Sequence, residues 1–192
     1  ALFLLIVLGM YIVIAIVGAA NTIITGTELK AEENKVEDGQ FGVFIPLTEG
    51  QEEAIRDRGV SLERMFSVDL TQEDESTLRV FSNREEINLI HVDEGRLAEA
   101  EDEVVLEKRY ATEHSLAVGD AIELAGKTYT ITGVGCVPEY DMPIAKFSDM
   151  AVESSLFGLA FVTEEAYEEI LASGEAFDEV IAIGPLVMMK FT

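Results

Sequence analysis

VDEGRLAEAEDEVVLEKRYATEHSLAVGDAIELAGKTYTITGVGCVPEYDMP, residues 92–143, holds the pattern from which the rest of the chain can be read. Glu103 to Leu106 is a short apolar run that predicts a strand, and Glu107 to His114 predicts a helix. Leu116-Ala117-Val118-Gly119-Asp120 makes a turn into a strand over Ala121 to Leu124. Ala125-Gly126-Lys127 is a tight loop, and Thr128 to Val134 alternates as the return strand. Across that hairpin, Ile122 and Leu124 are expected to face Tyr129 and Ile131.

Far upstream, residues 1–20 read ALFLLIVLGMYIVIAIVGAA without a charged side chain, and the first charge is Glu28. About twenty helical residues, each rising ~1.5 Å, span the roughly 30 Å hydrocarbon core of a bilayer. A helix lying on a soluble core would keep a polar stripe at helical spacing, and none is visible. A secretory signal peptide would carry a basic start and a shorter apolar run. A helix buried inside a large soluble protein is the other alternative, and a chain of 192 residues has little room to cover one. Residues 1–27 are therefore expected to form a transmembrane helix, with Ala15 and Ala19 spaced to let a neighbouring helix approach. Residues 28–36, with Glu28, Lys30, Glu32, Glu33 and Lys35, are expected to continue it as a helical extension that Gly39 stops. The opening on Ala1 rather than Met suggests a fragment whose cytoplasmic flank is missing.

All 37 acidic and all 13 basic residues follow position 27, for a formal net charge of −24. Short cytoplasmic flanks favour Lys and Arg, whereas the helix exit TELKAEENKVEDG is acidic, so residues after about 28 are placed outside the cytoplasm. The acidic balance speaks against nucleic acid and against an anionic membrane surface, both of which need clustered cations. It could attract cationic peptides or metal ions, but a solvated surface is the commoner cause. The single cysteine, Cys136, rules out an intrachain disulfide and reads as a small buried hydrophobe within TITGVGCV.

Phe41, Val43 and Ile45 predict a strand ended by Pro46, and Thr48 caps a short helix through EGQEEAIRDRG that Gly59 closes. Arg64 to Leu70 and Thr77 to Phe81 predict two strands joined by the turn TQEDES. Asn83 is expected to cap a helical turn through Glu86, followed by the apolar stretch Ile87 to Val92. The terminal run VIAIGPLVMMKFT, interrupted by Gly184-Pro185, is too short to span a bilayer and reads as a strand.

Several of these pieces together resemble the external domain of FtsX-like and MacB-like ABC transporter permeases. They are Glu94-Gly95-Arg96, Glu103 to Ala111, Val118-Gly119-Asp120, Gly126 to Val134, Val137 to Pro143, and Ala160 to Thr163 leading into EEAYEEILASG. The layout is similar too, since in that family the domain follows the first transmembrane helix. The resemblance implies an α+β extracytoplasmic domain over 37–192 behind an N-terminal transmembrane helix. A mixed α/β subdomain would take 37–90 and 157–192, and a strand-rich inserted subdomain 91–156. It also implies an ABC ATPase partner, a second permease copy and contact with membrane lipid, in a protein of four or more membrane helices.

Chemical motifs are sparse. Gly126-Lys127-Thr128 lacks the upstream glycine of a phosphate-binding loop and falls within the predicted hairpin, so no ATPase is expected in this chain. His91 and His114 have no metal-ligand partner at helical or loop spacing, and His114 reads as a helix C-terminal dipole partner. No nucleophile elbow surrounds a serine. Glu139, Asp141 and Asp149 lack the spacing of a calcium loop and read as a solvated loop. No catalytic, cofactor-binding or metal residues are expected, and no cofactor. The expected function is an external domain that couples ATPase-driven helix motion to handling a substrate outside the membrane. The alternatives are a single-span anchored binding or sensor module and, third, an anchored hydrolase.

Overall fold

The computed structural model describes residues 2–43, 47–140, 153–174 and 186–191. The chain falls into two compact units, Ala1–Asn34 and Lys35–Thr192. The first is one helix, α1 (Leu2–Glu33), unbroken over 32 residues. Its apolar stretch has a mean hydropathy of 2.9, and side chains such as Phe3, Met10, Tyr11, Ile14 and Ile23 are exposed around it. Such a surface is unfavourable in water and suits hydrocarbon. The hydroxyls of Thr22 and Thr27 donate to the carbonyls of Gly18 and Ile23, at 3.0 and 2.8 Å, so neither is left unbonded on that surface. The helix ends at Glu33, with Lys35 at φ +48°, not at Gly39. Gly39 instead opens the first strand.

Among the described residues the second unit holds two sheets. The smaller has three strands in the order β1 (Gly39–Gly42), β10 (Leu186–Phe191), β2 (Val60–Met65), all antiparallel. Helix α2 (Glu49–Arg56) precedes β2, and Thr48 caps it through a capping box with Gln51. The larger sheet contains β3 (Ser67–Thr71), β4 (Thr77–Ser82), β9 (Phe157–Val162), β6 (Glu103–Glu107), β8 (Lys127–Cys136) and β5 (His91–Gly95) in that order, with β7 (Ala121–Leu124) also on β8. Strands β4–β9 and β6–β8 are parallel, and the other pairings are antiparallel.

The predicted single strand Arg64 to Leu70 is two strands in different sheets. Met65 pairs with Leu186 while Ser67 pairs with Phe81, so the chain changes sheets at Phe66. Apolar residues at 62, 66, 68 and 70 keep one parity through the change, which is why the break does not show in the pattern. The helical turn expected from Asn83 is absent as well. Asn83 donates its side-chain amide to Ala98 O at 2.8 Å, and the Glu63 carboxylate gathers the amides of Glu85, Glu86 and Ile87 at 2.9, 3.1 and 2.5 Å. Strand β1 stops at Gly42, and Phe44 to Pro46 lie outside the described residues. Of the terminal run, Leu186 to Phe191 forms β10, and Val180 to Pro185 lie outside the described residues.

The hairpin sits where the pattern puts it. Ala125 and Gly126 turn at φ +48° and +74°, the left-handed pair that a two-residue loop needs. Ile122 faces Tyr129, but Leu124 pairs with Lys127 at the turn, and Ile131 instead donates its amide to Asp120 O. The larger sheet separates two clusters. On one side α3 (Lys108–Glu113) and α4 (Glu164–Ser173) cover Leu78, Val80, Leu106, Tyr110, Ile131, Val162 and Ile170. On the other lie Phe81, Ile90, Val105, Val137, Phe157, Leu159 and Phe161. Alternation along β9 explains this, since 157, 159 and 161 point one way and 160 and 162 the other, and every residue of the strand is buried.

The two sheets do not divide the chain as 37–90 plus 157–192 against 91–156. Strands β3, β4 and β9 share one sheet with β5, β6, β7 and β8, because β9 pairs with both β4 and β6. Helix α4 starts where Thr163 Oγ1 accepts the amide of Ala166 at 3.3 Å and ends at Gly174, φ +72°. Thr163→Ala is expected to lower stability by about 1 kcal/mol, read as a lower urea midpoint with an unchanged slope. A slope change instead would mean that the cap is not what the hydroxyl supplies.

Candidate functional site

The second face of the large sheet carries the buried charge. Arg79 lies over the Phe157 ring at 5.1 Å and reaches across to its register partner Asp69 through two hydrogen bonds of 2.7 and 2.8 Å. Arg84, its side chain 4% exposed, lies 5.2 Å from the Phe81 ring centre and 5.9 Å from that of Phe161. Its Nη1 is paired with Glu139 Oε1, and its Nη2 touches Met65 Sδ at 3.4 Å. The two phenylalanines stack at 5.5 Å, and Tyr140 tilts against Phe81 at 5.9 Å. Aromatic faces and matched carboxylates together make the burial of Arg84 and the half-burial of Arg79 tolerable.

Chain connections put a third element beside this face. Residues 35–38, which follow α1, are fastened by five hydrogen bonds. Asn88 N donates to Lys35 O at 3.1 Å, Lys190 Nζ to Val36 O at 2.8 Å and Glu37 N to Asn88 Oδ1 at 2.9 Å. Asp38 N donates to Met189 O at 2.8 Å, and Phe191 N to Asp38 Oδ2 at 2.8 Å. Asn88 is fully buried at φ +50°, and its side-chain amide also contacts Met188 Sδ at 3.3 Å. Burial pushes the carboxyls of Glu37 and Glu139 above the ordinary glutamate value, although Arg84 pulls both down.

A groove of about 300 Å³ opens beside β2, lined by Glu52, Arg56, Leu62, Glu63, Arg64, Glu85 and Glu86. Its arginines are engaged, Arg64 with Glu52 at 2.6 Å, Arg56 with Leu62 O at 2.9 Å and with Glu86 at 3.5 Å.

The residues weighed from sequence do not converge. His91 sits in β5 opposite Cys136, which is half-buried at the end of β8. His114 is the C-cap of α3, stacked on Tyr110 at 4.0 Å, with Nδ1 3.1 Å from Asp74 Oδ2 in the β3–β4 turn. Gly126 to Thr128 belong to the hairpin, and Lys127 pairs with Glu169 of α4 at 2.5 Å. Glu139 is not a solvated loop residue but the partner of Arg84, while Asp141 and Asp149 lie outside the described residues. No group of three or more His, Cys, Asp or Glu side chains is placed to hold a metal among the described residues. Arg84, Asn88 and Glu37 were not expected, since they are polar residues with no motif spacing, two from the loop before β5 and one from the stretch after α1.

The family model of MacB-like periplasmic core domains matches residues 3–176, from within α1 to just beyond α4. The chain belongs to that family. Among solved structures, the periplasmic region of MacB from Actinobacillus actinomycetemcomitans aligns with a TM-score of 0.40 at 12% identity, over 77% of this chain and 65% of that one. The extracellular domain of the noncanonic ABC-type transporter YknZ from Gram-positive bacteria gives a TM-score of 0.40 at 12% identity, over 80% and 81%. The chain thus spans just under two thirds of the MacB periplasmic region. No curated protein matches in sequence. In this MacB-like chain an apolar N-terminal helix and a periplasmic-type domain are matched as one piece, the arrangement of a membrane-anchored protein with an external domain.

Proposed function

We propose that residues 35–192 are the external domain of an ABC transporter permease, with α1 as its first membrane helix. The observation that carries this reading is the single family match over residues 3–176, which takes in helix and domain together. The ATPase resides on a partner subunit, and a second permease copy completes the transporter. ATP binding moves the membrane helices, and α1 passes that motion to the domain. Two features support the last step. The helix runs without a break to Glu33, past the end of its apolar stretch, and a continuous hydrogen-bonded helix transmits displacement better than a flexible linker. The next residues, 35–38, are bonded to β10 and to the Asn88 loop, so displacement there loads both sheets.

The test is purification of the full-length protein from native membranes, with quantitative mass spectrometry of what comes with it. An ABC ATPase in stoichiometric amount is expected. Intact complexes that lack any ATPase would sink the transporter reading and leave an anchored binding module in its place.

A further inference from the structure

Lys35 and Asn88 are non-glycine residues in the left-handed region, at φ +48° and +50°, and they are bonded to each other, Asn88 N donating to Lys35 O at 3.1 Å. Asparagine visits that conformation readily because its short side chain bonds to nearby backbone, whereas lysine carries the strain uncompensated. Such strain persists only where surrounding contacts over-determine it. Here the contacts fall on the four residues that follow α1. Asn88 Oδ1 holds Glu37 N, Lys190 Nζ holds Val36 O, and Met189 O and Phe191 N hold the amide and carboxylate of Asp38. Lys35 itself is exposed, so the turn is imposed through its backbone.

A second conformation is open to the same residues. Asn34 still makes the helical bond, from N to Lys30 O at 2.9 Å, and its side-chain amide reaches the same carbonyl at 3.0 Å. Lys35 is therefore where the backbone departs from α1. With Lys35 turned to the right-handed region, the helix runs on through Val36, Glu37 and Asp38 to Gly39, the stop that the sequence pattern anticipates. The amides of Glu37 and Asp38 then exchange Asn88 Oδ1 and Met189 O for the carbonyls of Glu33 and Asn34, four residues back. Both donors are satisfied in either form, which is what makes an element bistable. At rest the strapped form wins. Its bonds from Asn88 and β10 are in place, and in the longer helix Glu37 and Asp38 would oppose the dipole at the C-terminal end.

We propose that residues 35–38 are a two-state connector, either strapped to Asn88 and β10 or released and wound onto α1. Winding shortens the connector, because a helical residue advances ~1.5 Å where an extended one advances ~3.3 Å. The use of this switch rests on the reading proposed above, in which it sets when motion of α1 reaches the sheets. Its geometry does not depend on that reading.

The experiment is NMR on the full chain in detergent micelles, reading the Cα shifts of residues 36–38 together with exchange of the amide at position 88. Asn88→Gly keeps the left-handed turn and removes the side-chain acceptor. The Cα shifts are expected to move toward helical values, and the amide at 88 to exchange about ten-fold faster. Lys35→Gly relieves the strain and weakens the helical alternative, so it is expected to slow that exchange several-fold. Combined with Asn88→Gly, it should return the shifts toward those of the wild type. Unmoved shifts in Asn88→Gly would overturn the switch, and so would random-coil values, which mean fraying rather than winding. Lys35→Gly sits at an exposed position and tests the switch even if Asn88→Gly does not fold; exchange at or above the wild-type rate would overturn it. Every readout comes from this chain alone, so failure of the switch and failure to recover an ATPase are separate results.

Discussion

Arg84→Met is expected to lower the unfolding free energy by about 3–5 kcal/mol near neutral pH, the range found when one member of a buried ion pair is removed. The loss has three parts. Glu139 keeps its buried position without the cation that matches it. The planar group beside the stacked Phe81 and Phe161 rings is replaced by a flexible thioether that fills the space less well. Asn88 O loses a donor. Because the stranded carboxyl can take up a proton, the penalty should shrink at lower pH, where Glu139 is neutral. Arg84→Lys separates charge from shape, since it keeps the cation and loses the fork and the ring contact, so it should fall between wild type and Met. Arg84→Met with Glu139→Leu removes both charges and should recover much of the single-variant loss. Urea unfolding of the full chain at two pH values measures all of these. A loss below about 1 kcal/mol for Arg84→Met would place the pair in solvent-like surroundings and remove the basis for a buried cluster.

What could be read from the sequence was local. The hairpin of β7 and β8, the capped helix α4 and the run into α1 each show in a window of fewer than about twenty residues, where periodicity and turn chemistry act directly. The hairpin could even be anticipated by residue, because Ala125-Gly126 demands a left-handed turn between alternating strands. The charged cluster was not legible for the opposite reason. Arg84 sits in a segment that reads as a helical turn, Asn88 in an apolar stretch, Glu139 in a solvated loop and Glu37 in the charged helix exit. Only the placement of β9 between β4 and β6 creates the aromatic face that receives Arg84. The same placement joins strands from 37–90, 91–156 and 157–192 in one sheet. A long-range parallel pairing such as Val80 with Ala160 leaves no trace in a single sequence. Gly39 is a further instance. It matched the rule for a helix stop, but the backbone had already turned at Lys35, where a non-glycine residue took the left-handed conformation.

Gly158→Ala is expected to cost about 3 kcal/mol, at the upper end of overpacking penalties, although it adds only one methyl group. A Cβ at 158 would run into Cδ2, Cγ and Cβ of Tyr110, well inside van der Waals contact. That ring has nowhere to go. Its hydroxyl is bonded to Ser76 Oγ at 2.9 Å, its face is stacked on His114, and it is 2% exposed. Helix α3 is fixed as well, since the Glu107 carboxylate accepts the amides of Arg109 and Tyr110 at 3.0 and 2.8 Å. Nor can β9 retreat, being paired on both edges, with Leu159 and Phe161 packed on its far face. Tyr110→Leu in the same chain should open the space, so the double variant should lose less than the sum of the two singles by at least about 1 kcal/mol. Gly50→Ala is the control. It lies in α2 with nothing within 4 Å of its Cβ, so the same chemical change should stabilise by up to about 1 kcal/mol through helix propensity. Opposite signs at the two glycines would locate the effect in the α3–β9 contact. A Gly158→Ala protein that unfolds at the wild-type urea midpoint would instead mean that the Tyr110 ring can move, and that α3 is not held against the sheet by this packing.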